Sequence, residues 1–123
     1  MKANELMIGD WVLTLESTHK EKVYAQIWAI EEGQTSILVK KDNCNWFVDI
    51  EWIEPVSLTT KILEKNGWIE ASGYWVLKGH STRLGWKDGE MIVGYSALPE
   101  KIFHVHELQN LMKAVKISCN FEI

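Results

Sequence analysis

Arginine is nearly absent from this sequence, since Arg83 is the only arginine among thirteen basic residues. Arginine carries the planar fork that binds phosphate groups and guanine edges, so its scarcity counts against specific DNA recognition. The formal net charge of −4 points the same way, because nucleic-acid binding depends on positive charge. The neighbouring lysines Lys40 and Lys41 are typical of a solvated strand end. These features disfavour a nucleic-acid partner.

Long apolar runs and paired cysteines are also missing. No stretch of about 18 uncharged apolar residues occurs, as a membrane-spanning helix would need, and the charged start MKANELMIGDW lacks the apolar centre of a signal peptide. The two cysteines, Cys44 and Cys119, form neither a Cys-x-x-Cys pair nor a disulfide framework. We therefore expect a cytoplasmic protein with reduced thiols and without a membrane partner.

Tryptophan, in contrast, is abundant. The seven tryptophans stand at positions 11, 28, 46, 52, 68, 75 and 86. In a small β-rich domain most large aromatic side chains fill the core. The alternative, for one or two of them, is exposure at a binding surface, where tryptophan is enriched among the residues that dominate affinity.

Short β-strands are predicted across the first half of the chain. In WVLTL, Trp11, Leu13 and Leu15 alternate with Val12 and Thr14, which is the period of two expected when one face of the sheet is buried. VYAQIWAI and TSILVK follow as further strands. A last alternation places four apolar side chains on one face and acidic side chains on the other: Trp46, Val48, Ile50 and Trp52 against Asp49 and Glu51. This spacing is typical of an SH3-like small β-barrel or a strongly bent sheet.

Pro55 interrupts the β pattern, because proline cannot donate a hydrogen bond to a sheet. We place the module boundary there: residues 1–56 form an SH3-like β module, and residues 57–123 form the remainder, with one fused domain as the alternative. The predicted fold class is α+β, with an N-terminal SH3-like small β-barrel or bent sheet and a short middle helix. An antiparallel β-meander, with a last strand at 102–105, is then closed by a C-terminal helix.

Local signals define the elements after the boundary. Thr59 or Thr60 can cap the free amides at the start of the middle helix, and Gly67 can take the left-handed conformation that ends it. Hairpin turns are predicted at Ser72-Gly73 and Asp88-Gly89. The C-terminal helix shows apolar residues at helical spacing along one side.

The two ends of the chain resemble one known family. The opening MKANELMIGDWV and the closing VHELQNL are similar to the ends of small uncharacterised proteins encoded by phages and prophages of gut Bacteroidetes, and PVSLTTKILEKNGW resembles their middle segment. That family reads Met-Lys-x-x-Glu-Leu-x-Ile-Gly-Asn/Asp-Trp-Val at its start and aromatic-Val-His-x-Leu-Gln-Asn-Leu at its end. His104 departs from the pattern, and residues 113–123 lack the usual Leu-Thr-Gly ending. The resemblance implies a small protein that binds and modulates host or phage machinery.

The pair His104 and His106 raises the question of a metal site. On a strand the two side chains would share one face, but a zinc site needs a third and usually a fourth ligand. The other histidines, His19 and His80, stand in loop-like settings. His104 also occupies an aromatic position of the family pattern. We therefore expect packed or surface histidines, without a metal and without a cofactor.

The amide side chains of the C-terminal helix allow two interpretations. The first is structural: Gln109 borders the core and ties a strand or a loop, because buried polar groups need hydrogen-bond partners. The alternative is a recognition face formed by His106, Asn110 and Lys113, whose side chains can bind a partner.

No motif of catalysis accompanies these residues, so we expect a protein that is not an enzyme. The leading hypothesis is a non-enzymatic protein-binding module or modulator that contacts a host or phage protein. Its predicted contact surface is an exposed aromatic side chain at Trp46 or Trp52, with the acidic residues Asp49 and Glu51 beside it. A surface of that kind would also permit a homodimer.

Two alternatives remain open at this point. One is a nucleic-acid-binding accessory protein that stacks bases on aromatic side chains of the SH3-like barrel. The other is a small-ligand-binding protein or an unrecognised enzyme, since catalytic residues need not be close in sequence.

Overall fold

The computed structural model describes residues 5–16, 18, 20–31, 35–77, 79, 84–94, 96–117 and 120–123. Within them the chain forms two five-stranded antiparallel sheets. The first sheet consists of β1 (Trp11–Leu15), β2 (Lys22–Ala29), β3 (Ser36–Lys41), β4 (Cys44–Asp49) and β5 (Glu54–Pro55), with a 3₁₀ helix at Ile50–Trp52. Helix α1 (Thr60–Lys65) follows. The second sheet consists of β6 (Trp68–Ala71), β7 (Tyr74–Leu77), β8 (Leu84–Lys87), β9 (Glu90–Val93) and β10 (Ser96–Lys101), and α2 (Val105–Ala114) comes last.

The predicted α+β class is confirmed: strands dominate, and two α-helices accompany them. A closed barrel is not found. The strands of the first sheet lie in the order β4-β3-β2-β1-β5, and among the described residues no pairing joins β4 to β5. The second sheet has the order β10-β9-β8-β7-β6, which is a meander of sequential neighbours.

The chain divides into two compact units. The first contains Met1–Ser57 and His104–Ser118, and the second contains Leu58–Phe103 and Cys119–Ile123. The sequence analysis also places a boundary near this point, after residue 56, but it assigns α2 to the C-terminal module. In the structure α2 contacts β1 instead, because hydrogen bonds and apolar contacts tie the helix to the N-terminal segment.

The core of the first unit consists of side chains that point inward from β1 to β4. Val12 of β1 pairs with Ala25 of β2, and both are fully buried. The predicted period of two in β1 is confirmed: Val12 and Thr14 point inward, whereas Trp11, Leu13 and Leu15 are half-buried on the other side. Nearly every residue of WVLTL is apolar, so the alternation indicates a strand but does not decide which face is buried.

The side chain of Gln109 in α2 forms hydrogen bonds with the backbone at the start of β1, as a neighbouring strand would. Its Oε1 accepts a hydrogen bond from Trp11 N–H at 2.8 Å, and its Nε2 donates to the Gly9 carbonyl at 3.0 Å. One side-chain amide thus satisfies the backbone on both sides of Asp10. The structural interpretation of Gln109 is confirmed.

The second unit follows the local sequence signals closely. Thr59 caps α1, because its Oγ1 accepts a hydrogen bond from Ile62 N–H at 3.3 Å. Gly67 follows the helix with φ of 87°. Two-residue turns at Ser72-Gly73 and Asp88-Gly89 have positive φ at both positions, which matches the right-handed twist of the flanking strands. These predicted turns are confirmed.

The predicted strand at 102–105 is wrong. The last strand, β10, covers Ser96–Lys101 instead, and Val105 already begins α2. β10 contains Pro99, and a proline in the sequence argues against a strand, because strands usually tolerate proline only at edges and bulges. Here the β9–β10 register shifts between Ala97 and Lys101, and β10 is the edge of its sheet. At both a register shift and a sheet edge, a strand tolerates a residue that cannot donate a backbone hydrogen bond.

Candidate functional site

The outer face of the first sheet carries large side chains that no other part of the first unit covers fully. Trp28 is 48% exposed and Phe47 is 65% exposed. Pairing places Leu38 opposite Phe47, and Lys40 opposite Gln26, so these side chains share one face with their strand neighbours. We call this surface the aromatic face and define it as Tyr24, Trp28, Leu38, Lys40 and Phe47.

A bulge in β2 lies at Trp28, which strand alternation places on this face with Tyr24 and Gln26. The β2–β3 register shifts between Ile27 and Ala29, so Trp28 has no direct partner on β3. Bulges bend a strand and turn a side chain toward the surface. The Lys40 ammonium nitrogen lies 4.2 Å from the centroid of the Trp28 ring, which is a cation–π contact. This contact holds an exposed indole in a defined position.

A small cavity opens beside the aromatic face. Its volume is about 190 Å³, and it is lined by Ala29, Glu31, Ser36, Leu38 and Phe47. A cavity of about 150 Å³ holds a benzene ring, so this one can receive a single large apolar side chain. Glu31 provides a carboxylate at its wall.

The predicted surface around Trp46 and Trp52 is not one continuous patch. Trp46 points inward and packs against the core, and its Nε1 donates to the Leu15 carbonyl at 3.0 Å. Trp52 is 55% exposed, but it belongs to the 3₁₀ helix. The helix interrupts the strand alternation after Asp49, so the side chains of Trp46 and Trp52 do not share a strand face.

The acidic residues of the predicted surface lie at the end of β4. Asp49 caps the 3₁₀ helix, because its Oδ1 accepts a hydrogen bond from Glu51 N–H at 3.3 Å. The Glu51 side chain is exposed. Within the described residues neither carboxylate forms an ion pair, and Glu31 forms none either. These three carboxylates give this end of the sheet a negative charge.

The predicted recognition face of α2 is instead part of a polar cluster with Asp10. Asn110 Nδ2 donates to Asp10 Oδ2 at 3.3 Å, and Lys113 Nζ donates to the Ile8 carbonyl at 2.8 Å. The Lys113 nitrogen also lies 3.7 Å from Asp10 Oδ1, while His106 is buried. Asn110 and Lys113 thus bond α2 to residues 8–10, and His106 is buried beside them.

Burial sets the ionisation of two groups in this cluster. Desolvation raises the pKa of Asp10 above its usual value, against hydrogen bonding from Met7 N–H and the charge of Lys113. Desolvation lowers the pKa of His106, against the favourable charge of Asp10. His106 Nδ1 is buried and finds no hydrogen-bond partner among the residues that the structure describes. Both shifts favour the neutral forms, as expected for groups removed from water.

The two histidines at the start of α2 do not form a ligand set. Their rings are stacked, with centroids 5.8 Å apart. His104 precedes the helix, and its Nδ1 lies 2.8 Å from Glu107 Oε1. Among the described residues no group of three or more His, Cys, Asp or Glu side chains could hold a metal ion. His19 and His80 lie outside the described residues.

The sequence analysis missed Trp28 and Phe47, although a signal for Trp28 was present. In VYAQIWAI, Tyr24, Gln26 and Trp28 alternate with the small or aliphatic Ala25 and Ile27. A strand whose polar Gln26 faces solvent must place its two aromatic neighbours on the same side. Phe47 carried a similar signal, because the alternation that places Trp46 and Val48 on one face places Phe47 with the acidic Asp49 on the other.

No protein-family model, curated protein or solved structure matches this chain. Among the described helices none is long and apolar enough to cross a membrane.

Proposed function

We propose that this chain is a non-enzymatic protein-binding module that contacts its partner through the aromatic face. The proposal rests on one observation: Trp28 is about half exposed and Phe47 is more than half exposed on the same face of the sheet. Exposed aromatic side chains dominate the affinity of many interfaces. A paired sheet presents them with little loss of conformational entropy on binding.

The proposal extends to the type of module. β1 pairs with β2 on one side and with β5 on the other, which gives a five-stranded antiparallel sheet with a short connecting 3₁₀ helix. This topology supports an SH3-like bent sheet. From the resemblance of both chain ends we further propose a cytoplasmic protein of phage or prophage type that acts on a host or phage protein.

Capture of a partner tests the proposal. A tagged form of the full chain is incubated with nuclease-treated bacterial lysate, and retained proteins are identified by mass spectrometry. We expect one stoichiometric protein with the wild type and its loss with Trp28→Ala. Trp52→Ala is the matched control, because it also removes a half-exposed indole but lies in the 3₁₀ helix.

The control separates the two candidate surfaces. Loss of the partner with Trp52→Ala alone would move the contact to the surface predicted from the sequence, near Asp49 and Glu51. Retention of the partner by both variants would reject the aromatic face as the contact surface. Circular dichroism of each variant establishes that the fold is intact.

A nucleic-acid ligand is the second candidate, and one observation favours it. Lys40 stands beside Trp28 on the aromatic face, and an aromatic ring next to a positive charge can stack on a base. Mobility-shift assays with single-stranded DNA and RNA at low salt test this candidate. Binding that weakens steeply with added salt and disappears with Trp28→Ala would establish it, and the absence of any shift would remove it.

A further inference from the structure

The two edges of the first sheet differ in how well they are protected. β5 has two residues, and one of them is Pro55. Short length and proline are common devices that prevent pairing at an exposed edge. β4 has six residues, contains neither proline nor lysine, and pairs with β3 in a continuous register without a bulge. β4 is therefore the unprotected edge of the sheet.

Backbone groups of β4 are available for a further strand. Every second residue of an edge strand directs its N–H and C=O away from its neighbour. In the described part of the chain β3 is the only strand paired with β4. An extended peptide can add to such an edge, with main-chain hydrogen bonds supplying affinity and alternate side chains supplying specificity.

The exposed Phe47 ring of β4 specifies one side chain of such a peptide. Phe47 is 65% exposed, and a neighbouring strand would cover it. Side chains directly opposite each other on neighbouring strands lie about 5 Å apart. An apolar side chain of a peptide that lies along β4 on the aromatic face would therefore pack against Phe47. The cavity at Leu38 lies over β2 and β3, on the inner side of β4, and remains beside this contact.

Charge specifies a second side chain. Glu31 lines the cavity, Asp49 ends β4, and Glu51 follows it. None of these carboxylates has an ion-pair partner within the described residues. Side chains at alternate positions of a strand lie on one face, about 7 Å apart. A lysine or arginine at the next position on the same face can therefore reach this acidic end.

We propose that β4 binds an extended segment of a partner protein, which adds to the first sheet as a further strand. One apolar side chain of the segment packs against Phe47, and a lysine or arginine two residues away lies opposite Asp49 on the same face. A second copy of β4 fits less well, because Cys44–Asp49 contains no basic residue. This inference rests on the proposed protein-binding function and names the chemistry of the partner.

Peptide selection on the full chain tests the inference. The probe is a display library of short linear peptides of random sequence. We expect enriched peptides with a lysine or arginine two residues from an apolar residue. Synthetic versions should bind about tenfold more weakly to Phe47→Lys, which places a charge at the cavity wall. The control Ile69→Lys makes the same kind of change at an exposed site on β6, the edge of the second sheet, and should leave affinity unchanged.

Backbone methylation tests the strand geometry independently of any protein variant. N-methylation of alternate residues in a selected peptide should abolish binding in one register and preserve it in the other, because only every second N–H donates to β4. Phe47→Thr retains β propensity and serves as the second variant if Phe47→Lys does not fold. Asp49→Asn keeps a side-chain oxygen for the 3₁₀ cap and should weaken binding severalfold, and the loss should be smaller at high salt.

Several outcomes would overturn the inference. They are the absence of any enriched peptide, equal binding to wild type and Phe47→Lys, or tolerance of methylation in both registers. A concentration-dependent dimer that Phe47→Lys disrupts would assign the edge to a second copy instead. In each case the proposed function stands if a captured folded protein still depends on Trp28, so the two failures are distinguishable.

Discussion

At the scale of single residues, Gln109 holds α2 to the N-terminal segment through two backbone contacts. We expect Gln109→Met, which has a similar length, to lower the free energy of unfolding by about 1–2 kcal/mol. The loss is limited because Gly9 O retains a second donor, Gln26 Nε2, at 3.1 Å. Urea unfolding measures it. Asn110→Ala is the comparison, and a larger loss for Asn110→Ala would contradict the role of Gln109.

The buried His106 should lower the stability of the folded protein at acidic pH. Burial lowers the pKa of His106 in the folded protein, so the unfolded chain binds a proton more readily. Stability should therefore decrease as the pH falls below about 6.5, the ordinary value for histidine. His106→Gln removes this titration. When thermal unfolding is measured from about pH 7.5 down to about pH 5, we expect the wild type to lose more stability than the variant does.

Asp10 should act in the opposite direction. Burial raises the pKa of Asp10, so the folded protein binds this proton at a higher pH than the unfolded chain does. The cost of burying its charge is therefore relieved as the pH falls through the raised pKa. Relative to Asp10→Asn, the wild type should gain stability on acidification. A pH profile for this pair with the same sign as the His106→Gln pair would contradict the assigned shifts.

At the scale of elements, alanine substitutions at two glycines of the second unit allow the cost of backbone strain to be measured apart from the cost of steric overlap. Gly67 and Gly89 both have positive φ, but a Cβ at Gly67 would meet nothing within 4 Å, whereas at Gly89 it would overlap the Phe103 ring. Gly67→Ala should cost about 1–2 kcal/mol from strain alone. Gly89→Ala should cost about 1 kcal/mol more, because Phe103 must move. Equal losses in urea unfolding would show that the ring moves freely.

The elements that the sequence predicts well are those with local causes. The turns at Ser72-Gly73 and Asp88-Gly89 require residues that tolerate positive φ, and Thr59 caps α1 with its own hydroxyl. These causes act within four residues and are visible in the sequence. β10 escapes prediction because its sheet position makes Pro99 acceptable, and that position depends on residues far along the chain.

The candidate site is likewise only partly predictable from the sequence. Period-two patterns identify β2 and β4 as strands, and the alternation in β4 places Phe47 with Asp49 on the face opposite Trp46 and Val48. In the structure Trp46 points inward, and its Nε1 donates to the Leu15 carbonyl, 31 residues away in sequence. The bulge at Trp28 depends on the pairing of β2 with β3 and leaves no local signal. The sequence therefore predicts which side of its strand Phe47 occupies, whereas the position of Trp28 beside Lys40 depends on the sheet.

At the scale of the whole molecule, the two motifs at the ends of the chain meet in the first unit. Gly9, Asp10 and Trp11 of the opening motif bond to Gln109 and Asn110 of the closing motif. These side chains stabilise the unit, and the proposed partner binding falls to exposed residues elsewhere. The negative net charge adds to the three carboxylates near β4 that have no ion-pair partner within the described residues, and it would favour a partner segment that carries positive charge.

Site-specific photo-crosslinking tests the central claim most directly. Phe47 is replaced by benzoylphenylalanine in one form of the full chain and Ile69 in another, since both are exposed apolar residues on edge strands. Irradiation in bacterial lysate should attach a single partner protein to the form labelled at position 47 and none to the form labelled at position 69. Crosslinks from position 69 alone, or none from position 47, would contradict binding through the aromatic face.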